Sequence, residues 1–305
     1  MSITLTEATV ASILTRSSGY LKSVCSHSLQ PYRGCSFGNS LCGVGCYVRH
    51  NPFITRGAEW GSFLEVRKNA ATAYCCQCDR ERRWARANRG RFSVFMSSAT
   101  DPFVPHEQRY GITRDVLRAM LENPPDQLII QTHSHLVTRY LEIFRTLSQR
   151  CGLRVHISIE SDRDRLPGLP PPASPIARRF EAAQQLRDAG VHVVITVAPL
   201  LPIADPDRFF QRVATCADAV VVDHFIGGDG TATGARTLRT PLPAAMAAVD
   251  PACLDISYRD AMLEKALEWM PGRVGVGIDG FAGRLLIGPP VPREASPGAA
   301  SQADY

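Results

Sequence analysis

Three cysteines fall within twelve residues near the beginning of this 305-residue chain. Cys35, Cys42 and Cys46 lie in the segment PYRGCSFGNSLCGVGCYVR (31–49), whose glycines let the backbone wrap closely around an inorganic group. A closed structural zinc site takes four ligands, so three thiolates at the spacing C-x6-C-x3-C are one short of it. Three thiolates do suit a [4Fe–4S] cluster with one open iron. The spacing favours such a cluster, and thiols without a metal are the alternative.

A second group of cysteines, Cys75, Cys76 and Cys78, stands just before an arginine-rich segment, DRERRWARANRGR (79–91), that is typical of a charged, exposed helix. A Cys-x2-Cys pair suits an auxiliary cluster, zinc, a redox pair or a catalytic thiol. Together the two groups could complete a zinc site. They therefore leave open a non-catalytic zinc or iron–sulfur protein that binds nucleic acid.

The composition indicates an ordinary globular protein, with 45% hydrophobic and 21% charged residues and a net charge of +5. No apolar run approaches the ~20 residues that cross a bilayer, and the first residues lack the pattern of a signal peptide. We therefore expect a cytoplasmic protein with no membrane partner. In a reducing compartment ten cysteines are more often metal ligands or redox groups than disulfides. Cys151, Cys216 and Cys253 are single and follow helical patterns, so they predict buried side chains without a function.

Short apolar, β-branched segments alternate with helical patterns from about residue 92 onward. The predicted strands are 92–98, 128–132, 154–161, 191–199 and 219–225, with a sixth before residue 35 and a last one within 273–283. The predicted helices are 111–122, 136–150, 174–189, 205–214 and 258–270. This alternation predicts a parallel sheet with right-handed crossovers, either open and doubly wound or a partial barrel. Ser174-Pro175 and Asp205-Pro206 are the expected N-cap and first residue of two of these helices.

Several motifs occur in order at compatible distances, and together they resemble the spore-photoproduct-lyase-like branch of the radical SAM superfamily. They are PYRGC…C…CY, SATDPFVPHEQRYGITRDVL, QTHSHLVTRYLEIF, HISIESD and ARRFEAAQQLRDAGVHVVITVAPLLPI. The resemblance covers about residues 31 to 240. It implies an α/β fold, a partial (β/α)6 TIM-type barrel of parallel strands. The expected organisation is an N-terminal extension (1–25), a radical SAM partial-barrel domain with a Cys-rich loop (26–288) and a disordered tail (289–305).

The resemblance also implies an activity. Cys35, Cys42 and Cys46 would hold a [4Fe–4S] cluster, and S-adenosyl-L-methionine would be cleaved reductively there to give a 5′-deoxyadenosyl radical that acts on a substrate. The cofactors supply the chemistry and the protein positions them. A reductant such as flavodoxin or ferredoxin is the implied partner. The substrate is unassigned, with nucleic acid as one candidate.

Two departures from the family pattern bear on this expectation. The family usually has C-x3-C-x2-C with an aromatic residue before the last cysteine, whereas here Gly45 takes that place and Tyr47 follows Cys46. The members that repair DNA lesions carry a cysteine hydrogen donor shortly before an acidic residue and proline, where this chain has Ser97 and Ser98. A serine O–H bond is too strong to replace a thiol donor. Lesion repair by the known route is therefore only the alternative.

The remaining candidate site residues end the predicted strands, where the active sites of parallel barrels lie. Ser98, Thr100 and Asp101 are expected to bind the polar end of S-adenosylmethionine, or else to form a helix-capping turn. His133 stands where the family tends to carry a lysine for the cofactor carboxylate. Ser158 and Glu160 share one face of their strand and are expected to point inward, where Glu160 could hold ribose hydroxyls.

Further candidates follow the last predicted strands. Asp223 and His224 are expected to contact adenine or substrate. Arg236, Arg239 and Arg284 are candidates for binding an anionic substrate, and solvated surface arginines are the alternative.

Overall fold

The computed structural model describes residues 3–288, so the predicted disordered tail (289–305) lies outside the described residues, as do residues 1 and 2. The strands in this range are β1 (Thr4–Ala8), β2 (Leu14–Arg16), β3 (His27–Leu29), β4 (Tyr32–Gly34), β5 (Phe63–Arg67), β6 (Ser93–Met96), β7 (Gln127–Thr132), β8 (Gly152–Ser158), β9 (Val193–Val197), β10 (Ala219–Val222) and β11 (Val274–Val276). The helices are α1 (Leu41–Val44), α2 (Pro52–Thr55), α3 (Ala70–Arg89), α4 (Glu107–Tyr110), α5 (Ile112–Glu122), α6 (Leu141–Ser148), α7 (Ile176–Asp188), α8 (Pro206–Cys216), α9 (Phe225–Gly228), α10 (Leu242–Ala247), α11 (Ile256–Trp269) and α12 (Gly277–Phe281). Short 3-10 helices span Gly19–Ser23, Tyr47–His50, His135–Tyr140, Thr237–Arg239 and Pro251–Leu254.

The main sheet has eight strands in the order β11-β10-β9-β8-β7-β6-β3-β2. Every neighbouring pair is parallel except β2 and β3, which are antiparallel. The two edge strands do not pair with each other, so the barrel is open. The expected partial barrel of parallel strands is confirmed, including a strand before residue 35 in the form of β3.

Alternation along the strands separates two apolar layers. Val94 and Met96 of β6 belong to the large core that includes the helices, whereas Phe95 between them belongs to a smaller cluster with Ile129, Val194 and residues of β10 and α12. Adjacent side chains of a strand point to opposite faces, so Phe95 faces the barrel interior. Every residue of β9 and β10 is buried. This burial is the reason these strands read as continuous apolar runs in the sequence.

Two local predictions need correction. Asp205 caps α8 as expected, its carboxylate accepting a hydrogen bond from the Arg208 backbone N–H at 3.0 Å. Ser174 does not cap α7: the helix begins one residue later than predicted, and the Ser174 hydroxyl lies 2.7 Å from His135 Nδ1 instead. The predicted last strand is shorter than its motif, because a helix starts at Gly277.

A second, three-stranded sheet lies outside the barrel sheet and anchors the cysteine-containing loop. Its central strand β5 pairs parallel with β1 and antiparallel with β4. The loop between β4 and β5 carries Cys35, Cys42 and Cys46. A Cβ on Gly38 would lie 1.9 Å from the Gly61 Cα, and one on Gly43 only 2.1 Å from a backbone oxygen. The loop can therefore fold back on itself only with glycine at these positions.

No helix among residues 3–288 is both long enough and apolar enough to span a bilayer.

Candidate functional site

A cavity of about 520 Å³ opens where the carboxyl ends of β6 to β10 face the cysteine-containing loop. Side chains from the loop and from all five strand ends line it. The carboxyl ends of parallel strands meet at one edge of the sheet, so residues far apart in sequence converge there. This is the region to which the strand-end motifs pointed.

Cys35, Cys42 and Cys46 all line this cavity. Cys35 is buried and the other two are half-buried. Burial raises the pKa of Cys35 well above its ordinary value, and the neighbouring Cys42 raises it further. Burial likewise raises the pKa of Cys46 to about 12. The raised pKa values favour the protonated thiols of Cys35 and Cys46, so iron binding at these two residues would release protons.

The arrangement of the thiols fits a cluster better than a single ion. Among residues 3–288, no three His, Cys, Asp or Glu side chains converge closely enough to hold one metal ion. In a [4Fe–4S] cluster each thiolate binds a different iron, so the sulfur atoms surround a volume. Cys35, Cys42 and Cys46 line one cavity of about 520 Å³ from a loop closely packed through glycines, which leaves room for such a cluster.

The second cysteine group lies elsewhere, on α3. Cys75 and Cys76 are exposed and Cys78 is buried, with its Sγ 3.2 Å from Arg82 Nη2. None of them is among the residues that line the cavity. The described part of the chain therefore does not bring the two groups together into the combined zinc site that the sequence left open.

His133 lies between two carboxylates at the edge of the cavity. Its Nε2 is 2.8 Å from Glu160 Oε1 and its Nδ1 is 3.8 Å from Asp101 Oδ2. Burial lowers the pKa of His133, but Glu160, Cys42 and Asp101 together outweigh burial and hold that pKa well above its ordinary value. His133 therefore carries a positive charge at neutral pH, as the lysine expected in the family would.

Glu160 is buried, and its Oε1 lies 2.8 Å from His133 Nε2 without hydrogen-bond geometry. Besides His133, the second oxygen lies 2.8 Å from Arg179 Nη1, and Arg179 is itself buried. Burial opposes the charge of Glu160, but these two cations hold the pKa of its carboxyl below its ordinary value. The Glu160 side chain lines the cavity, but its negative charge is balanced by ion pairs with His133 and Arg179.

Asp101 joins the end of β6 to the end of β7. Its carboxylate accepts hydrogen bonds from Thr132 Oγ1 at 2.8 Å and from the His133 backbone N–H at 2.7 Å. It also accepts one from the Phe103 backbone N–H at 2.9 Å, the turn pattern that the capping alternative predicted. Asp101 lines the cavity, but the protein itself satisfies its oxygens.

The neighbouring predicted residues take different positions. Ser98 and Thr100 line the cavity and are both held by Gln30, whose amide nitrogen donates to Ser98 Oγ at 2.8 Å and whose amide oxygen accepts from the Thr100 N–H at 3.3 Å. Ser158 is fully buried and does not line the cavity; it lies 3.1 Å from Thr196 Oγ1 and accepts from Gln131 Nε2 at 3.2 Å. Ser158 therefore points inward as predicted, but it is buried beneath the cavity and its hydroxyl contacts other side chains of the protein.

The opposite wall is built around Asp223. Its carboxylate accepts hydrogen bonds from the Tyr20 hydroxyl at 3.1 Å and from the His224 backbone N–H at 2.9 Å. Burial raises the pKa of Asp223 to about 6. Of the three candidate arginines only Arg236 lines the cavity, whereas Arg284 pairs with Asp279 on an exposed surface. Asp223 and His224 both line the cavity, as predicted for contacts to adenine or substrate.

Several residues of the cavity lining were not among the sequence candidates for the site. Tyr20 belongs to the predicted N-terminal extension and lies 203 positions from Asp223, so no local pattern could relate the two. Ser97 and Trp60 line the cavity with a buried Oγ and Nε1 that have no hydrogen-bond partner among the described residues. A lone serine or tryptophan carries no spacing signal.

Curated proteins with related sequences match only part of the chain, and no protein-family model matches it. An uncharacterized protein of Methanocaldococcus jannaschii is 23% identical over 175 residues, 57% of this chain and 60% of that protein. An uncharacterized protein of Acidianus two-tailed virus is 31% identical over 112 residues, 36% of this chain and 35% of that protein. The chain thus spans less than two thirds of the length of each relative.

Solved structures match over most of the chain. A spore photoproduct lyase mutant with bound AdoMet and dinucleoside spore photoproduct superposes with a TM-score of 0.60 at 13% identity, over 89% of this chain and 81% of that one. The chain has the fold of spore photoproduct lyase. A second structure of that lyase, complexed with dinucleoside spore photoproduct, gives a TM-score of 0.57 at 12% identity over the same shares. The resemblance seen in the sequence motifs is therefore confirmed for the fold.

Proposed function

We propose that the protein is a radical SAM enzyme in which Cys35, Cys42 and Cys46 hold a [4Fe–4S] cluster and the cavity binds S-adenosylmethionine. The observation that carries the proposal is that three thiols and the charged His133 line one cavity at the strand ends of a spore-photoproduct-lyase fold. When bound, the cluster and cofactor supply a 5′-deoxyadenosyl radical that abstracts hydrogen from a substrate.

The protein's own residues bind and orient the cofactor. The His133 imidazolium offers its charge to the cofactor carboxylate, and Glu160 and Asp101 keep that imidazolium charged and in place. Ser98 and Thr100, held by Gln30, line the same cavity and would bind the polar end of the cofactor. A charged group that is already oriented by buried partners needs no reorganisation when the ligand arrives.

The far wall would meet the remaining part of the cofactor or the substrate. Asp223, held by Tyr20, presents a carboxylate there, and Arg236, which donates to the Asp229 backbone oxygen at 3.1 Å, lines the same cavity. Phe95 and Phe281 form an apolar part of the same lining. Apolar walls exclude water from the reacting groups, which protects a radical from side reactions. The substrate class is unassigned.

The proposed partner is a one-electron reductant such as flavodoxin or ferredoxin. The loop that follows the last cysteine carries Arg49 and His50, and burial, Arg239 and Arg49 together lower the pKa of His50, so both arginines lie near it. Neither arginine is within 4.0 Å of a carboxylate in the part of the chain that the structure describes. Phe53, on the short helix that follows this loop, is 87% exposed. A cationic surface with an exposed aromatic ring suits an acidic protein partner.

A second candidate is DNA lesion repair, since the solved neighbour holds a dinucleoside spore photoproduct. The cavity itself disfavours the thiol-dependent route. Its only cysteines among the described lining residues are the three assigned to the cluster, and Ser97 and Ser98 occupy the end of β6. Nucleic acid remains a proposed substrate only with a different hydrogen donor.

Anaerobic reconstitution with iron and sulfide tests the proposed function. We expect about four iron atoms per chain, and conversion of S-adenosylmethionine to methionine and 5′-deoxyadenosine when dithionite is added. Cys42→Ala should lose the cluster and the cleavage, whereas Cys216→Ala, a buried thiol of α8, should keep both. Stoichiometric zinc without cleavage would refute the proposal. A cluster retained in Cys42→Ala would refute the ligand assignment.

A further inference from the structure

A row of neutral polar side chains crosses the barrel interior just below the cavity's charged groups. Ser97, Gln131, Ser158 and Thr196, which we call the polar floor, come from β7, β8 and β9 and from the residue after β6. The register pairs Phe95 with Ile129 and Ser158 with Thr196. Two residues further along parallel strands, Ser97 therefore comes level with Gln131 on the inner face.

At one end of the polar floor the side chains are hydrogen-bonded to one another, and at the other end two oxygen atoms have no hydrogen-bond partner among the described residues. Gln131 Nε2 donates to Ser158 Oγ at 3.2 Å, and Ser158 Oγ is 3.1 Å from Thr196 Oγ1. Gln131 Oε1 makes no hydrogen bond within residues 3–288, and the buried Ser97 Oγ has no partner there either. Both Ser97 and Gln131 line the cavity. The open end of the floor therefore faces the space a ligand would fill.

Ser97 is also held in an unfavourable backbone conformation. Its φ is +72°, and the exposed Arg56 (φ +50°) is the only other non-glycine residue with positive φ in the described chain. An L side chain in the left-handed region is sterically strained, whereas glycine adopts it freely. Such strain clusters at ligand sites, where the surrounding structure holds the residue in place. Ser97 thus costs stability through both its backbone and its unpaired hydroxyl.

We propose that Ser97 and Gln131 form a binding subsite for the ribose hydroxyls of the cofactor nucleoside. Gln131 Oε1 can only accept, and a hydroxyl that donates to it can accept in turn from Ser97 Oγ. The floor contains no charged group, so it suits the neutral part of S-adenosylmethionine rather than its charged methionine end. Glu160, the residue expected to hold the ribose, is charged and lies 2.8 Å from both His133 and Arg179, so it belongs to the charged end of the cavity, although its Oε1 has no hydrogen-bond partner among the described residues. The inference rests on the proposed function and assigns one part of the same site.

Three variants test the inference, each measured for thermal unfolding and, in the cluster-loaded protein, for equilibrium binding of S-adenosylmethionine, 5′-deoxyadenosine and methionine. Ser97→Gly removes hydroxyl and strain, Ser97→Ala removes the hydroxyl alone, and Arg56→Gly removes the same kind of strain away from the cavity lining. We expect Ser97→Gly and Arg56→Gly to raise the Tm by about 2 °C each. Both Ser97 variants should bind S-adenosylmethionine and 5′-deoxyadenosine about fivefold more weakly, with methionine binding unchanged. Arg56→Gly should bind all three as the wild type does.

The results distinguish a failure of the ribose subsite from a failure of the proposed function. Wild-type affinity for 5′-deoxyadenosine in both Ser97 variants would overturn the subsite, and so would a loss confined to methionine. A lower Tm in Ser97→Gly would show that the left-handed backbone conformation of Ser97 does not destabilise the protein. A wild-type protein that takes up no cluster, or binds no S-adenosylmethionine when loaded, would instead refute the proposed function itself.

Discussion

Replacing Glu160 by glutamine removes one negative charge from the centre of a buried network. Glu160 is 5% exposed and Arg179 is 2% exposed, so water cannot replace the lost partner. The amide keeps an oxygen that can accept from Arg179 Nη1, now 2.8 Å from the carboxylate. It cannot compensate the charge of either Arg179 or His133. Glu160→Gln thus leaves His133 with Asp101 at 3.8 Å, and leaves Arg179 without an ion-pair partner among the described residues.

The expected cost follows from burial. Removing one partner of a buried ion pair costs roughly 3–5 kcal/mol, and the retained hydrogen bond places this case near the lower figure, about 3 kcal/mol. With a urea m-value of about 3 kcal/mol/M, the unfolding midpoint should fall by about 1 M. The matched control is Glu181→Gln on α7, because Glu181 pairs with Arg178 at 3.3 Å on an exposed surface. That pair should contribute less than about 1 kcal/mol.

The pH dependence gives a second readout of the same substitution. The pKa of Glu160 is below its ordinary value of 4.5 in the folded protein, so its charge stabilises the fold above pH 4.5 and this contribution is lost as the pH falls below it. The midpoint difference between wild type and Glu160→Gln should therefore be largest near pH 5 to 6 and shrink in more acidic solution, where Glu160 is protonated. It should also shrink above pH 6.5, because the raised pKa of His133 stabilises only the wild type and this contribution is lost as His133 loses its proton. S-adenosylmethionine binding by the loaded enzyme should weaken as well, since His133 loses the partner that keeps it charged. An unchanged midpoint, or a difference no larger than that of Glu181→Gln, would refute the argument.

Three further outcomes test other parts of the structure. Gly38→Ala should prevent cluster incorporation while the circular dichroism of the barrel is kept, because the new Cβ would lie 1.9 Å from the Gly61 Cα; full iron uptake would contradict this. Ionised Asp223 destabilises the fold because its pKa is raised to about 6, so wild-type stability relative to Asp223→Asn should fall by about 3 kcal/mol between pH 4 and 7 in urea titrations, and parallel pH profiles would contradict it. Arg49→Glu should slow cleavage driven by reduced flavodoxin but not by dithionite, with the exposed Arg208→Glu as control; equal rates with both reductants would exclude Arg49 from the docking surface.

The sequence predicted the elements of the barrel better than their ends. Strands β9 and β10 are buried on both faces, so their apolar runs identified them without any tertiary knowledge. Helix α8 was equally plain, since Asp205 and Pro206 form a capping pattern that acts locally. The start of α7 was wrong by one residue. Serine is a common N-cap residue, but the hydroxyl of Ser174 forms a hydrogen bond with His135, which is distant in sequence, instead of capping the helix.

The candidate site divides in the same way. The spacing of Cys35, Cys42 and Cys46 is a local feature of one loop, and the structure places all three around one cavity; their role as cluster ligands stays a prediction. The strand-end residues were found because parallel strands bring their carboxyl ends to one edge. The sequence could not show which of these side chains are free to bind a ligand, because their hydrogen-bond partners are distant in the chain. Glu160 pairs with Arg179, which is 19 residues further along the chain, and this pairing depends on how helix α7 packs against the sheet.

By itself, then, the sequence determined the alternation of strands and helices, the cysteine loop and the edge of the sheet where a site must form. These depend on side-chain periodicity, capping and turn chemistry, which act over a few residues. Only the tertiary structure decided that Tyr20 reaches Asp223, that His133 is charged, and that Ser97 is strained with an unpaired hydroxyl. Hydrogen bonding, burial and electrostatic pairing depend on distances in space, and residues 203 positions apart in the chain lie in contact here.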